Sequence, residues 1–128
     1  MTPGDLRFTK EHEWVRVEDD EAIFGLSDHA QKKLGDITFV ELPEIGKIVR
    51  QFAAFSVVES VKAANDIFAP LSGEILQVNS LLENAPEKIN QSPYDEGWIC
   101  RIRIADLDEM NNLMNASEYD GYVEGLES

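Results

Sequence analysis

A period of two dominates the hydrophobic pattern of this 128-residue chain. Such alternation suits only strands that turn one face to a core, so it commits the chain to a mainly β architecture. Glu13–Val17 and Ala22–Leu26 alternate on either side of the acidic run Glu18-Asp19-Asp20-Glu21 and read as a β-hairpin. Further strands are expected at Ile37–Leu42, Lys47–Val49, Phe55–Val61, Ile67–Ala69, Glu74–Val78 and Trp98–Ile104. In the last of these Cys100, Ile102 and Ile104 share one face while Arg101 and Arg103 share the other, which predicts a core cysteine. Ser27 reads as the N-cap of a short helix at 28–34. Asp28 suits its positive end, Lys32 and Lys33 its last turn, and Gly35 an αL cap. Leu81–Gly97, rich in Asn, Pro, Glu and Ser, reads as a long surface connection.

The pattern changes near the end. Leu107, Met110 and Met114 recur at helical spacing behind Asp106 as N-cap, and Ser117-Glu118-Tyr119-Asp120 resembles a capping box for a last short helix. The expected organisation is one domain, 1–128, with a core at about 8–104 and a C-terminal helical segment at about 106–124.

A weak internal repeat adds a constraint. Pro43-Glu-Ile-Gly-Lys-Ile-Val-Arg50 aligns without gaps on Pro70-Leu-Ser-Gly-Glu-Ile-Leu-Gln77, each a turn feeding a strand. Two such units are expected to pack as a quasi-symmetric pair that closes a flattened barrel or sandwich.

Charge narrows the partners. The net charge is −14, with 12 acids and 8 bases in residues 1–64 but 13 acids and 3 bases in 65–128. A field of that sign repels phosphate backbones and anionic lipid, which argues against nucleic acid and membrane partners, and it favours encounter with basic protein surfaces. A single cysteine suits a reducing compartment, and the opening residues have no apolar signal core, so a cytoplasmic chain is expected. It is expected to be a monomer.

Between the two repeats lies Lys62. The apolar strands on either side must reverse around Ser60–Asp66, where the small residues Ser60, Ala63, Ala64 and Asn65 permit a tight exposed turn. A lysine there stands clear of the barrel on a long flexible stem. Its primary amine can form a stable amide, the geometry of a swinging arm. An ordinary solvated turn lysine satisfies the same spacing.

The residues around it carry a family resemblance. Glu59-Ser-Val-Lys-Ala63, Ala69-Pro-Leu-Ser-Gly-Glu74 and Val78-Asn79 closely resemble the lipoylation segment of glycine cleavage H proteins. His12-Glu-Trp-Val15, Asp28-His-Ala-Gln31, Leu34-Gly-Asp36, Phe39-Val-Glu-Leu-Pro-Glu44 and Ser92-Pro-Tyr-Asp-Glu-Gly-Trp98 resemble the same family in order and spacing. The resemblance implies a lipoyl/biotinyl-carrier fold of barrel-sandwich hybrid type and a carrier subunit rather than an enzyme, with lipoate in amide linkage to Lys62. It implies that the lipoyl group accepts an aminomethyl group from the P protein, delivers it to the T protein, and is reoxidised by the L protein. Glu59 and Gly73 match positions that the lipoate ligase or lipoyl transferase reads. Glu13 and Asp66 match acids lining the cleft where the arm docks. An alternative job for the same lysine is that of a lipoyl donor to 2-oxoacid dehydrogenases.

Phe52-Ala53 and Ser56 depart from the family, which commonly has Gly followed by an acid at the first place and Gly at the second. His12 and His29 with Glu11 and Glu13 suggest a metal site, but only two histidines exist and no Cys-x-x-Cys accompanies them, so none is expected. Trp14, Tyr94 and Trp98 are expected as packing anchors. Val61 before the lysine lacks the Asp of 2-oxoacid dehydrogenase lipoyl domains, and Val61-Lys62-Ala63 lacks the paired methionines of biotin carriers.

Overall fold

The alternating segments fold as strands. The computed structural model describes residues 2–127. In chain order the elements are β1 (Arg7–Phe8), β2 (Glu13–Glu18), β3 (Glu21–Leu26), α1 (Asp28–Leu34), β4 (Ile37–Glu41), β5 (Ile48–Val49), β6 (Ala54–Ser60) and β7 (Ala64–Phe68). There follow β8 (Gly73–Val78), α2 (Leu81–Asn84), α3 (Lys88–Gln91), β9 (Cys100–Ile104), a 3₁₀ segment (Leu107–Asn112), β10 (Met114–Asn115) and α4 (Ala116–Glu127). Seven strands make one sheet in the order β10-β1-β2-β3-β9-β8-β5, and β4-β6-β7 make a second. All pairings are antiparallel. Of the two closures expected, the open sandwich is the one adopted.

One face of the large sheet and one of the small sheet share a core. Val15, Phe24, Ile75 and Ile102 meet Val40, Phe55, Val58 and Ile67 there, with Phe24 and Phe55 edge to face at 5.7 Å. Cys100 is fully buried among them, and burial pushes its thiol well above the ordinary thiol range. The opposite face of β1–β3 is also covered. Leu6, Phe8 and Trp14 pack with Tyr119 of α4, and the Trp14 indole donates to the Pro93 carbonyl at 2.9 Å. Trp14 is thus the packing anchor expected of it.

The two repeats lie side by side in the large sheet. Ile48 pairs with Glu74 and Val49 with Gly73, while the Ile75 N–H donates to the Lys47 carbonyl at 2.9 Å. Lys47 and Glu74 are equivalent in the repeat, as are Ile48 and Ile75, so the strands cross about a local two-fold axis between those positions. Gly73 is needed at this crossing, because a Cβ on it would fall 2.1 Å from the Arg103 carbonyl oxygen of β9.

Helix α1 begins as the sequence indicates, with the Ser27 hydroxyl accepting the Ala30 N–H at 3.1 Å. Gly35 has the positive φ expected (77°), but its ψ of −159° lies outside the αL region. The segment 81–97 is not a plain surface connection. It forms α2 and α3, each a single turn, which insert Leu82 and Ile89 into the core. Elements so short are held by burial rather than by propensity, so no helical period announces them. The helix expected through Leu107, Met110 and Met114 is instead the 3₁₀ segment followed by β10, where Met114 pairs with Phe8. The capping box of α4 lies two residues before the expected one: Asn115 Oδ1 accepts the Glu118 N–H at 2.8 Å and Glu118 Oε1 accepts the Asn115 N–H at 2.9 Å. Among the described residues no helix is long and apolar enough to cross a membrane.

The close approach at Gly73 yields a stability prediction. Gly73→Ala forces β8 away from β9 and is expected to cost about 1–3 kcal/mol, read as a lowered denaturant midpoint with an unchanged slope.

Candidate functional site

The small sheet presents Lys62. β6 and β7 pair as far as Glu59 and Ala64, and the Ser60 N–H donates to the Ala63 carbonyl at 2.9 Å, which leaves Val61 and Lys62 as the exposed tip of the hairpin. The Ser60 hydroxyl oxygen accepts the Lys62 and Ala63 N–H groups at 3.2 and 3.3 Å, fixing the tip from within. From outside, the Val61 N–H donates to the Asp36 carbonyl at 3.1 Å, tying the hairpin to the exit of α1. The Lys62 amine lies 3.3 Å from the Lys33 carbonyl at the last turn of that helix. One long contact of this kind, to an uncharged acceptor at the surface, leaves the amine open to solvent and to an incoming enzyme.

A groove runs beside this hairpin between α1, β7 and the turn that precedes β2. Ala30, Lys33 and Leu34 form one wall, Val58 and Asn65–Ile67 the other, and Glu11–Glu13 the end, enclosing about 170 Å³. Its lining is mixed: Leu26, Ala30, Leu34, Val58 and Ile67 are aliphatic, while His12, Lys33 and Asn65 are polar and Glu11, Glu13 and Asp66 supply acid groups. A second cavity of about 460 Å³ lies alongside, walled by Phe8, Phe52, Phe68 and Met114 and sharing Glu11 and Glu13 with the first. Phe52 holds a left-handed backbone (φ 65°), the conformation glycine adopts without strain and a bulky side chain only at a cost. Ser56, the other departure, is buried and donates its hydroxyl to the Glu41 carbonyl.

Glu13 is the unusual group, with 1% of its surface exposed. Its Oε1 accepts from the Thr9 hydroxyl and its Oε2 accepts the Phe68 N–H at 3.1 Å. Burial raises its pKa from 4.5 to about 7, against the lowering effect of the Thr9 and Phe68 hydrogen bonds. His12, the next residue, shifts the other way. Burial, with His29 and Lys33 nearby, lowers it from 6.5 to about 4, so its imidazole is neutral at physiological pH. Among the described residues no three or more His, Cys, Asp or Glu side chains are grouped as a metal site requires.

The fold therefore brings Glu13 and Asp66 to one groove and sets Lys62 at its side. Glu59 lies elsewhere. It is exposed on β6, opposite Phe39 of β4 and Ala64 of β7, two positions before the tip. Gly73 is on the other sheet, buried against the Arg103 backbone, and its packing alone accounts for the residue. Thr9, Lys33 and Tyr119 are site residues that the sequence did not point to, although Lys33 and Tyr119 figured in its helix signals. Thr9 is signalled by nothing but its place four residues before Glu13, and Tyr119 lies 107 residues from the His12 it touches.

Comparison with known proteins points to one family in both sequence and fold. The family model described as glycine cleavage H-protein matches residues 6–125. The chain is 51% identical to a glycine cleavage system H protein of Xylella fastidiosa over 127 residues, covering 98% of this chain and 95% of that one. It is 48% identical to the one of Symbiobacterium thermophilum over 121 residues, 94% of each. A crystal structure of a glycine cleavage system H protein from Mycobacterium marinum superimposes with a TM-score of 0.88 at 35% identity, covering 95% of this chain and 98% of that one.

The opposed shifts of Glu13 and His12 predict a masked pH dependence. Between pH 4.5 and 7 the folded state holds the Glu13 proton that the unfolded chain releases, so this group's contribution to stability falls as pH rises. Between pH 4 and 6.5 the unfolded chain holds the His12 proton that the folded state lacks, so that contribution rises with pH. The two offset each other in the wild type. Glu13→Gln removes one of them, and its stability relative to wild type is expected to increase with pH across 4.5–7 by at most roughly 1.4 kcal/mol per pH unit, measured by urea unfolding at stepped pH.

Proposed function

The chain belongs to the glycine cleavage H-protein family, and on that premise we propose that it is the lipoyl carrier of a glycine cleavage system, with lipoate in amide linkage to Lys62. In this reading it takes the aminomethyl group released when the P protein decarboxylates glycine, presents it to the T protein, and is returned to its oxidised form by the L protein.

The observation that carries the reading is the position of Lys62: a single exposed lysine at the tip of the β6–β7 hairpin, beside a groove lined by both aliphatic and acidic side chains. The residues fit the group. The amine is accessible to a lipoate ligase or transferase, with Glu59 exposed two positions before the tip for that enzyme to read. Once attached, the lipoyl group supplies the redox-active sulfurs, which this chain does not offer, since its only cysteine is sealed in the core.

The chain's own residues do the rest. Leu26, Ala30, Leu34, Val58 and Ile67 remove a hydrocarbon chain from water. Glu13 and Asp66 accept hydrogen bonds from an amine placed at the far end of the groove. With a pKa near 7, Glu13 is partly neutral while the groove is empty, and an approaching cation draws its proton off and restores the charge. A tether of this length raises the effective concentration of its cargo at each partner site without release into bulk solvent. The net charge of −14 favours encounter with basic faces on those partners.

Two measurements test the reading. Incubated with lipoate, ATP and a lipoate ligase, wild type is expected to gain the lipoyl mass increment and Lys62→Ala to gain none. Reconstituted with P, T and L proteins, the lipoylated chain is expected to support glycine–bicarbonate exchange, and Lys62→Ala to reduce it by at least about a hundredfold. Full lipoylation without exchange would point instead to the lipoyl-donor role.

A further inference from the structure

Behind the groove, α4 meets the turn at residues 9–13 and the start of α1. Tyr119 of α4 is 2% exposed and lies flat against Phe8, with ring centroids 4.2 Å apart and 7° between planes. Its hydroxyl is 2.7 Å from the Ser27 hydroxyl and 2.8 Å from His12 Nδ1. Each of these partners is tied to a different part of the groove: Ser27 caps α1, which supplies one wall, and His12 sits in the turn that forms the end and delivers Glu13.

Hydrogen-bond bookkeeping fixes the direction of this chain. If Nδ1 carried the proton, it would donate to Tyr119, and Tyr119 would donate to Ser27 Oγ, which already accepts the Ala30 N–H at 3.1 Å. The Ser27 hydroxyl hydrogen would then lack an acceptor among the described residues, in a side chain with 0% exposure. In the opposite direction Ser27 donates to Tyr119, Tyr119 donates to Nδ1, and the one remaining donor, the Nε2–H of the half-buried His12, is not among the buried polar atoms left without a partner. We propose that Tyr119 is a positioning residue for the groove, which holds His12 as the neutral tautomer protonated at Nε2 and couples the α1 wall to the turn that carries Glu13.

The backbone supports the same assignment. His12 adopts a left-handed φ of 76°, a conformation that persists in a non-glycine residue only when its surroundings hold it. The Ser27 N–H holds its carbonyl at 2.9 Å, and Tyr119 holds its ring. Glu13 follows directly, so its carboxyl inherits the geometry of this turn. A neutral His12 leaves Lys33 as the one cationic residue among the groove's lining, facing Glu11, Glu13 and Asp66, and keeps the groove suited to an amine. The functional part of this proposal rests on the groove receiving the arm of Lys62; the tautomer does not.

The experiment separates the two. Long-range ¹H–¹⁵N correlation spectra of the unmodified protein at pH 7 are expected to show His12 with a bare Nδ1 and a protonated Nε2. Protonation at Nδ1, or rapid averaging of the two tautomers, overturns the proposal while leaving lipoylation of Lys62 untouched. Tyr119→Phe keeps the ring against Phe8 and removes the hydroxyl; it is expected to shift His12 to a tautomer mixture. On the lipoylated carrier charged with the aminomethyl group, the same variant is expected to shorten the lifetime of the cargo in water about threefold or more. A mixture of tautomers with an unchanged lifetime overturns the positioning role. Should Tyr119→Phe not fold, the wild-type spectrum still decides the tautomer. A chain that takes up no lipoate at all instead defeats the carrier reading and leaves the tautomer result standing.

Discussion

Glu13 opens β2 in the large sheet, and its carboxylate accepts the backbone N–H of Phe68 on the edge strand of the small one. This is a polar stitch between two layers otherwise joined by apolar packing. A carboxyl so enclosed is costly to leave charged, and the structure meets that cost with two donors from different parts of the chain, the Thr9 hydroxyl and the Phe68 amide. The groove beside the Lys62 hairpin exists in its present shape because this stitch sets how near β7 lies to the turn at residues 9–13. What looks like a local acid is therefore also a spacer between sheets.

Local signals were legible where they were sufficient. The hairpin of β2 and β3 needs only alternation and an acidic turn, and Ser27 needs only its place before a helical run. The Lys62 tip follows from small residues between two apolar strands, although the sequence alone leaves an ordinary turn lysine equally open. Legibility fails where tertiary contact decides. α2 and α3 exist because Leu82 and Ile89 have a core to enter, and Met114 belongs to a strand because Phe8 is there to pair with it. Spacing of 3 and 4 residues through Leu107, Met110 and Met114 is compatible with a helix, but a 3₁₀ turn followed by an extended residue satisfies it as well.

At the site itself the division is the same. Lys62 is carried by its neighbours in sequence. The pairing of Glu13 with Asp66 in one groove was available only through resemblance to a family, since nothing in the spacing of two acids 53 positions apart says that they meet. Thr9 and Tyr119 carry no local signature, because each acts through a partner brought close by the fold. At the family departures, Phe52 carries a left-handed backbone that costs a bulky side chain more than it would glycine, and Ser56 adds a hydrogen bond to the neighbouring strand.

The crossing of the two repeats has a consequence for assembly. A strand that runs antiparallel to its own homologue about a two-fold axis is, in shape, a contact between like and like. Each half carries a surface that a twin of itself would complete, so the long excursion through β6 and β7 that links the copies does more than display a lysine. By joining them in one polypeptide it turns an encounter between separate molecules into an internal closure, in which β5 and β8 fill each other's edge.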